Sequence, residues 1–263
     1  MKKTLIALVV AASAAVSGSA MAWTAHGMGG SVNLGGTLTP VEKSTPWEVK
    51  VGDSIANLDQ QIQKGQRQAS ISVDKPILIL GIRTLSHNAF RGQDGISPQI
   101  DFHENAQVKD VIDGSGMIRV NVHDKVKHEK IGEMLVPMLV GGEFSAVGGG
   151  THEGRAQLIA PQPGSAFYGG LPAAAASLMD PATVMTRISS LDNDIVANFD
   201  TQGQSNSTGR AEGLDFKGEG VRYSAYYGAG IEKGQRIQLS LEQPVESEDL
   251  TWEATLPITV SYM

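Results

Sequence analysis

The final stretch, TWEATLPITVSYM, puts Trp252, Ala254, Leu256, Ile258, Val260 and Tyr262 on one side of an extended backbone. Successive side chains alternate across a strand, so apolar residues at every second position mark a strand with one buried face. The same period recurs along the chain. Val32, Leu34 and Leu38 alternate in GSVNLGGTL, with Gly36 in the remaining slot, and Trp47, Val49 and Val51 alternate in PWEVKVG. Ile71 and Val73 lead into an unbroken apolar run, Ile77 to Ile82, which predicts a strand buried on both faces. Further strands are expected at Met117 to Val122, Met134 to Val140, Val221 to Tyr227 and Ile237 to Leu241. With 31 glycines and only 5% aromatic residues, the chain reads as an all-β protein with many turns.

One segment follows a different period. Asp180-Pro181 reads as an N-cap and first helical residue, and Val184, Ile188, Leu191 and Ile195 recur at helical spacing. A helix is expected from about Pro181 to Asn198, and a weaker helical turn at Ile55, Leu58 and Ile62. Helices this few among many strands suggest an insertion decorating a β-sandwich, because nothing alternates helix with parallel strand. Gly148 to Gly150 and Thr201 to Gly209 read as loops.

The N-terminus carries Lys2 and Lys3, an apolar run from Leu5 to Val16, and Ala20-Met21-Ala22. That is the order of a secretory signal, with cleavage expected after Ala22. The apolar run is too short for a membrane span, which needs about 20 residues. Loss of the two lysines leaves 19 of 21 basic residues against 28 acidic ones, a net charge of −9. So acidic a chain, lacking a basic patch, is a poor partner for nucleic acid. The absence of cysteine excludes disulfides, thiolate metal sites and a cysteine nucleophile.

Catalytic and cofactor signatures are equally absent, so no enzyme, cofactor or metal is expected. The histidines are His26, His87, His103, His123, His128 and His152. His123 and His128 in HDKVKHEK are five apart, which on a strand sends them to opposite faces, and the lysines around them repel a dication. G-x-S-x-G does not occur. Gly228, Gly230 and Gly234 have the wrong spacing for a dinucleotide loop and read as a hairpin turn between strands. Asp180, Asp192, Asp194 and Asp200 are too scattered for a calcium loop. Tyr223, Tyr226 and Tyr227 are candidate glycan-stacking residues, with strand residues of the core as the plainer alternative.

The segment after the signal is the sharper functional clue. Trp23 to Gly30 is glycine-rich, and the short alternating stretch behind it is weakened as a strand by Gly35 and Gly36. Small residues suit a strand that slides into a groove on another molecule. Strand addition of that kind draws affinity from backbone hydrogen bonds and specificity from side chains in pockets.

Several stretches, in order along the whole chain, resemble FaeG/ClpG-type fimbrial subunits of the chaperone/usher pathway: MKKTLIAL, GSVNLGG, KPILILG, FYGGL, YSAYYGAGIEKGQ and a last strand with the penultimate Tyr262. The resemblance implies an immunoglobulin-like sandwich that lacks its final strand and is completed by a donor strand, with a small helical insertion. It implies a signal peptide at 1–22, a donor-strand extension at 23–39, and a pilin domain at 40–263 with an inserted subdomain within about 88–210. Val32, Leu34 and Leu38 would be donor-strand residues, and Leu256, Ile258, Val260 and Tyr262 would line the strand that contacts chaperone and donor. Implied partners are neighbouring subunits, a periplasmic chaperone, an outer-membrane usher and a host glycan receptor, with the product on the cell surface. The alternative is a secreted carbohydrate-binding sandwich that does not polymerise and possesses a complete sheet of its own.

Overall fold

Most of the alternating stretches form strands. A computed structural model describes residues 34–39, 44–103, 109–149, 152–246 and 249–263. The chain divides into two units, residues 1–43 and 44–263. Of the first, residues 34–39 are described and form no strand.

The second unit is all-β with a small helical part. Its strands are Trp47–Val51 (β1), Gln68–Ser72 (β2), Ile77–Thr84 (β3), Phe90–Arg91 (β4), Pro98–Asp101 (β5), Lys109–Ile112 (β6), Ser115–Asp124 (β7), Lys130–Val147 (β8) and Gly154–Leu158 (β9). The helix Val184–Leu191 (α1) precedes Asn206–Glu212 (β10), Arg222–Ile231 (β11), Arg236–Leu241 (β12), Trp252–Glu253 (β13) and Thr259–Tyr262 (β14). A large sheet runs β1-β3-β11-β8-β12-β2, with the other strands branching from that path, while β14 and β5 form a separate two-stranded layer. All ladders are antiparallel except β9 with β10. This is the expected sandwich, with its second layer very narrow.

β11 shows how the sequence pays for two covered faces. Tyr223, Ala225, Tyr227, Ala229 and Ile231 point into the core between the layers. Tyr226 belongs to a second cluster on the outer face, with Leu139, Met179, Val184, Ile188, Leu191, Ile195 and Phe199. The outer cluster is where the helical segment lies against the large sheet. Gly228 is aligned with Gly81 of β3 on one side and Gly141 of β8 on the other. A Cβ at Gly81 would stand 3.1 Å from Ile195 Cγ1, and one at Gly141 would stand 2.7 Å from Met179 Cε. The glycine row therefore lets the helical segment approach the backbone itself. Arg187 of α1 fixes it laterally, donating to both Glu232 carboxyl oxygens at 3.0 and 2.7 Å, to Asp113 Oδ2 at 3.1 Å and to Ser115 Oγ at 3.0 Å.

Several expectations are corrected. The single helix of 181–198 is α1 followed by a separate 3-10 turn, Asn193–Val196. Asp192 breaks it by adopting an extended backbone, from which its carboxylate accepts from Asp194 N–H at 2.9 Å and pairs with Lys50 Nζ at 2.5 Å. Asp180 does not cap α1; it closes the turn before it, accepting from Ala182 N–H at 2.8 Å. Ile55 to Ile62 contains no helix, and Asn206 to Gly209, expected as loop, belong to β10. Of the three glycines assigned to a hairpin, only Gly234 is in the turn; Gly228 and Gly230 are strand residues under the helical segment.

Candidate functional site

Two strands cannot cover the inner face of the large sheet. One end of that face is closed by aromatic rings: Trp47 packs on Phe90, Phe167 and Phe216 with centroids 5.0 to 5.6 Å apart, and Phe167 stacks on Tyr227 at 5.4 Å. At the other end lies an open groove of about 740 Å³. Its floor is aliphatic, with Ile77 and Ile79 from β3, Val120 from β7 and Met134 from β8.

Each rim is a stretch of chain without a ladder partner. On one side β1 pairs with β3 as far as Val51, opposite Leu80. Gly52 makes one more bond, from its N–H to the Ile79 carbonyl at 3.2 Å, and the chain then leaves the sheet. Here glycine is required by space, because a Cβ would collide with the Leu78 carbonyl oxygen. On the other side, β13 pairs with β7 in the large sheet and β14 pairs with β5 in the small layer. Ala254 to Ile258, between them, belong to neither ladder. Pro257, which has no N–H to donate, falls in this unpaired stretch.

The alternation along the C-terminal segment persists. Trp252, Ala254, Leu256, Ile258, Val260 and Tyr262 all pack against the core but stay only partly buried, as do Leu58, Ile62, Ile77, Ile79 and Met134. A contiguous, half-covered apolar surface of this kind is suited to contact with another chain. His103 Nε2 lies 3.1 Å from Thr259 Oγ1, and His128 Nδ1 lies 3.4 Å from Glu253 Oε1, so two histidines brace this rim. Among the described residues no three histidine, aspartate or glutamate side chains gather as a metal site.

Of the residues singled out from sequence, Leu256 and Ile258 line the groove. Val260 and Tyr262 continue the same face along β14, opposite Ile100 and Pro98 of β5. Leu34 and Leu38 are 93% and 97% exposed; Val32 lies outside the described residues. Tyr223, Tyr226 and Tyr227 are buried, so no ring face is open to a sugar and the glycan-stacking expectation is corrected. Both faces of β11 are covered, and strand parity alone could not reveal the outer cover. The Tyr227 hydroxyl donates to the Gly170 carbonyl at 3.3 Å, and that of Tyr226 donates to Glu143 Oε2 at 2.5 Å. Burial raises the pKa of both phenols, and the Glu143 carboxylate raises that of Tyr226 further. The groove's other rim was missed: Ile55, Leu58 and Ile62 were visible as an apolar series, but their spacing suggested a helix.

The narrow sandwich carries an apolar groove along its C-terminal segment, and comparison places the chain among fimbrial subunits. It is 32% identical to K88 fimbrial protein AB of Escherichia coli and 30% identical to K88 fimbrial protein AC, in both cases over the whole of each chain. The F41 fimbrial protein of Escherichia coli is 28% identical over the same full span. The profile of the K88-type fimbrial family, described as major and minor fimbrial subunits, matches residues 1–263, and the chain belongs to that family. It is therefore a structural and adhesive component of a surface fimbria and not an enzyme, and its neighbours are other fimbrial subunits. Among the described residues, no helix is long and apolar enough to cross a membrane.

Proposed function

We propose that the groove receives a β-strand from another molecule and that the chain polymerises by donor-strand exchange. In this reading residues 1–22 are a signal peptide, and residues 23–39 are the extension that fills the groove of the next subunit. Val32, Leu34 and Leu38 enter the floor, while Leu256 and Ile258, continued by Val260 and Tyr262, form the strand beside which the donor lies. A periplasmic chaperone fills the groove first, and an outer-membrane usher catalyses its replacement. Adhesion to a host glycan belongs to the assembled fibre at a surface other than the three buried tyrosines.

The observation that carries the reading is the pairing of two shapes. A half-covered aliphatic groove lies between two rims with no ladder partner, and the same chain carries an alternating apolar segment whose Leu34 and Leu38 lie in solvent. Burying three such side chains is worth about 5–9 kcal/mol before ordering costs, at about 1.5–3 kcal/mol each.

The test compares two variants lacking residues 23–39, one with nothing added and one with that segment appended after Met263 through a flexible linker. A large rise in Tm and a monomeric product for the second variant is the expected outcome. A truncated chain that is already stable and unaffected by the added strand would mean a complete sandwich, and the non-polymerising module would be the correct reading.

A further inference from the structure

The groove has a charge as well as an apolar floor. Asp53 and Asp59 stand on one rim and Glu253 on the other, against Lys125 as the single lysine or arginine among the lining residues. Leu58 and Ile62 turn inward while Asp53 and Asp59 are exposed, and Trp252 and Ala254 turn inward on either side of Glu253. The carboxylates therefore lie along both rims, beside whatever strand is held between them. Glu253 has His128 3.4 Å away, but that imidazole is largely exposed.

The chain's own alternating segment supplies nothing to answer this charge. If Val32, Leu34, Gly36 and Leu38 face the floor, the outward residues are Asn33, Gly35, Thr37 and Thr39, all uncharged. Opposite charges at neighbouring positions on adjacent strands attract, and like charges repel.

We infer that the groove prefers a donor strand with basic outward-facing side chains, contributed by a partner protein, over the chain's own neutral segment. The inference rests on the strand-accepting reading and adds a specificity to it. A basic strand is held by apolar fit plus rim charge, and the neutral segment by fit alone. Replacement of the first by the second is then favoured by higher ionic strength, which screens exposed charges.

Three labelled peptides spanning residues 30–40 test this by fluorescence anisotropy with the full chain: the native sequence, a form with Asn33→Lys and Thr37→Lys, and a form with Asn33→Glu and Thr37→Glu. The chain's own segment competes equally with each, so the ratios of affinity are preserved. The lysine peptide is expected to bind about threefold to tenfold tighter than the native one at low salt, and the glutamate peptide weakest. At about 0.5 M salt the three should converge. The protein variant Asp53→Asn, Asp59→Asn, Glu253→Gln should lose the preference. Equal affinities at low salt, or a preference that survives the triple substitution, would overturn the inference while leaving the groove a strand acceptor. Binding of none of the peptides would remove the strand-accepting reading and the inference together.

Discussion

Ile188 of α1 rests directly on Gly228 of β11: a Cβ at Gly228 would stand 2.6 Å from Ile188 Cγ2. Ile188 is fully buried there, over three strands whose aligned residues are all glycine. The helical segment is thus seated by the absence of side chains beneath it.

Gly228→Ala is expected to lift that segment and cost about 1–3 kcal/mol, the usual penalty of overpacking. Ile188→Ala removes Cγ2 and costs about 2–5 kcal/mol through the cavity it leaves. The double variant should be less destabilised than the sum of the two, because one change makes the room the other needs. Urea unfolding of all three gives the coupling; strict additivity would show that the two residues do not share space.

Gly52→Ala addresses the rim of the groove. Its Cβ has nowhere to go but the Leu78 carbonyl, so either β1 detaches from β3 or the chain beyond residue 52 is displaced. A loss of roughly 2 kcal/mol or more is expected, together with weaker uptake of the appended donor strand. Wild-type stability and uptake in this variant would mean that the rim is not set by Gly52.

Glu143 is 0% exposed and receives Tyr226 Oη at 2.5 Å, Asn206 Nδ2 at 2.9 Å and Arg155 Nη2 at 2.9 Å. Glu143→Ala strands the Arg155 guanidinium, itself only 15% exposed, and should cost about 3–5 kcal/mol. Tyr226→Phe gives up one donor to that carboxylate and should cost less, about 1.5–3 kcal/mol. A reversal of that order in denaturant titrations would contradict the assignment of the ion pair as the dominant contact.

Alkaline pH should weaken the fold through its buried phenols. Tyr227 and Tyr226 have pKa values raised above the ordinary 10.0, chiefly by burial. Below that value both folded and unfolded chains keep the proton and the contribution is intact. Above it the unfolded chain ionises while the folded one resists, so stability falls as pH rises. Unfolding midpoints taken from about pH 9 to about pH 12 should decline, and Tyr227→Phe should flatten the decline. An unchanged slope in that variant would show that Tyr227 does not carry the effect.

Leu34→Asn with Leu38→Asn tests the donor segment in the fibre. The substitutions remove apolar side chains that are already exposed, so each subunit should retain its own fold while polymerisation fails. Fibres of normal length and yield from this double variant, seen by electron microscopy, would sink the proposal.

Strands were legible in the sequence wherever one face meets the core and the other meets water. β7 is of this kind, as are β13 and β14 at the two ends of the C-terminal alternation. Ile77 to Ile82 signalled β3, but its expected burial on both faces holds only from Leu80 to Ile82, since Ile77 and Ile79 line the open groove. What could not be read were relationships between elements. Gly228 and Gly230 look like a turn until the neighbouring strands bring Gly81 and Gly141 into line with Gly228. The helical period through Ile195 concealed a break at Asp192, because Lys50, far away in sequence, rewards the extended conformation. The groove was harder still. Its floor and rims come from segments far apart in the sequence, which only the folded sheet brings together.

The C-terminal segment belongs to both layers, with β13 hydrogen-bonded in one and β14 in the other. For a strand lodged beside it, this has a mechanical meaning. A pull along that strand would load the rim lengthwise, in shear, and the load would be shared by two sheets instead of prying open one edge. The contacts would then have to yield together and not one after another, which is the geometry that lets a thin filament withstand flow.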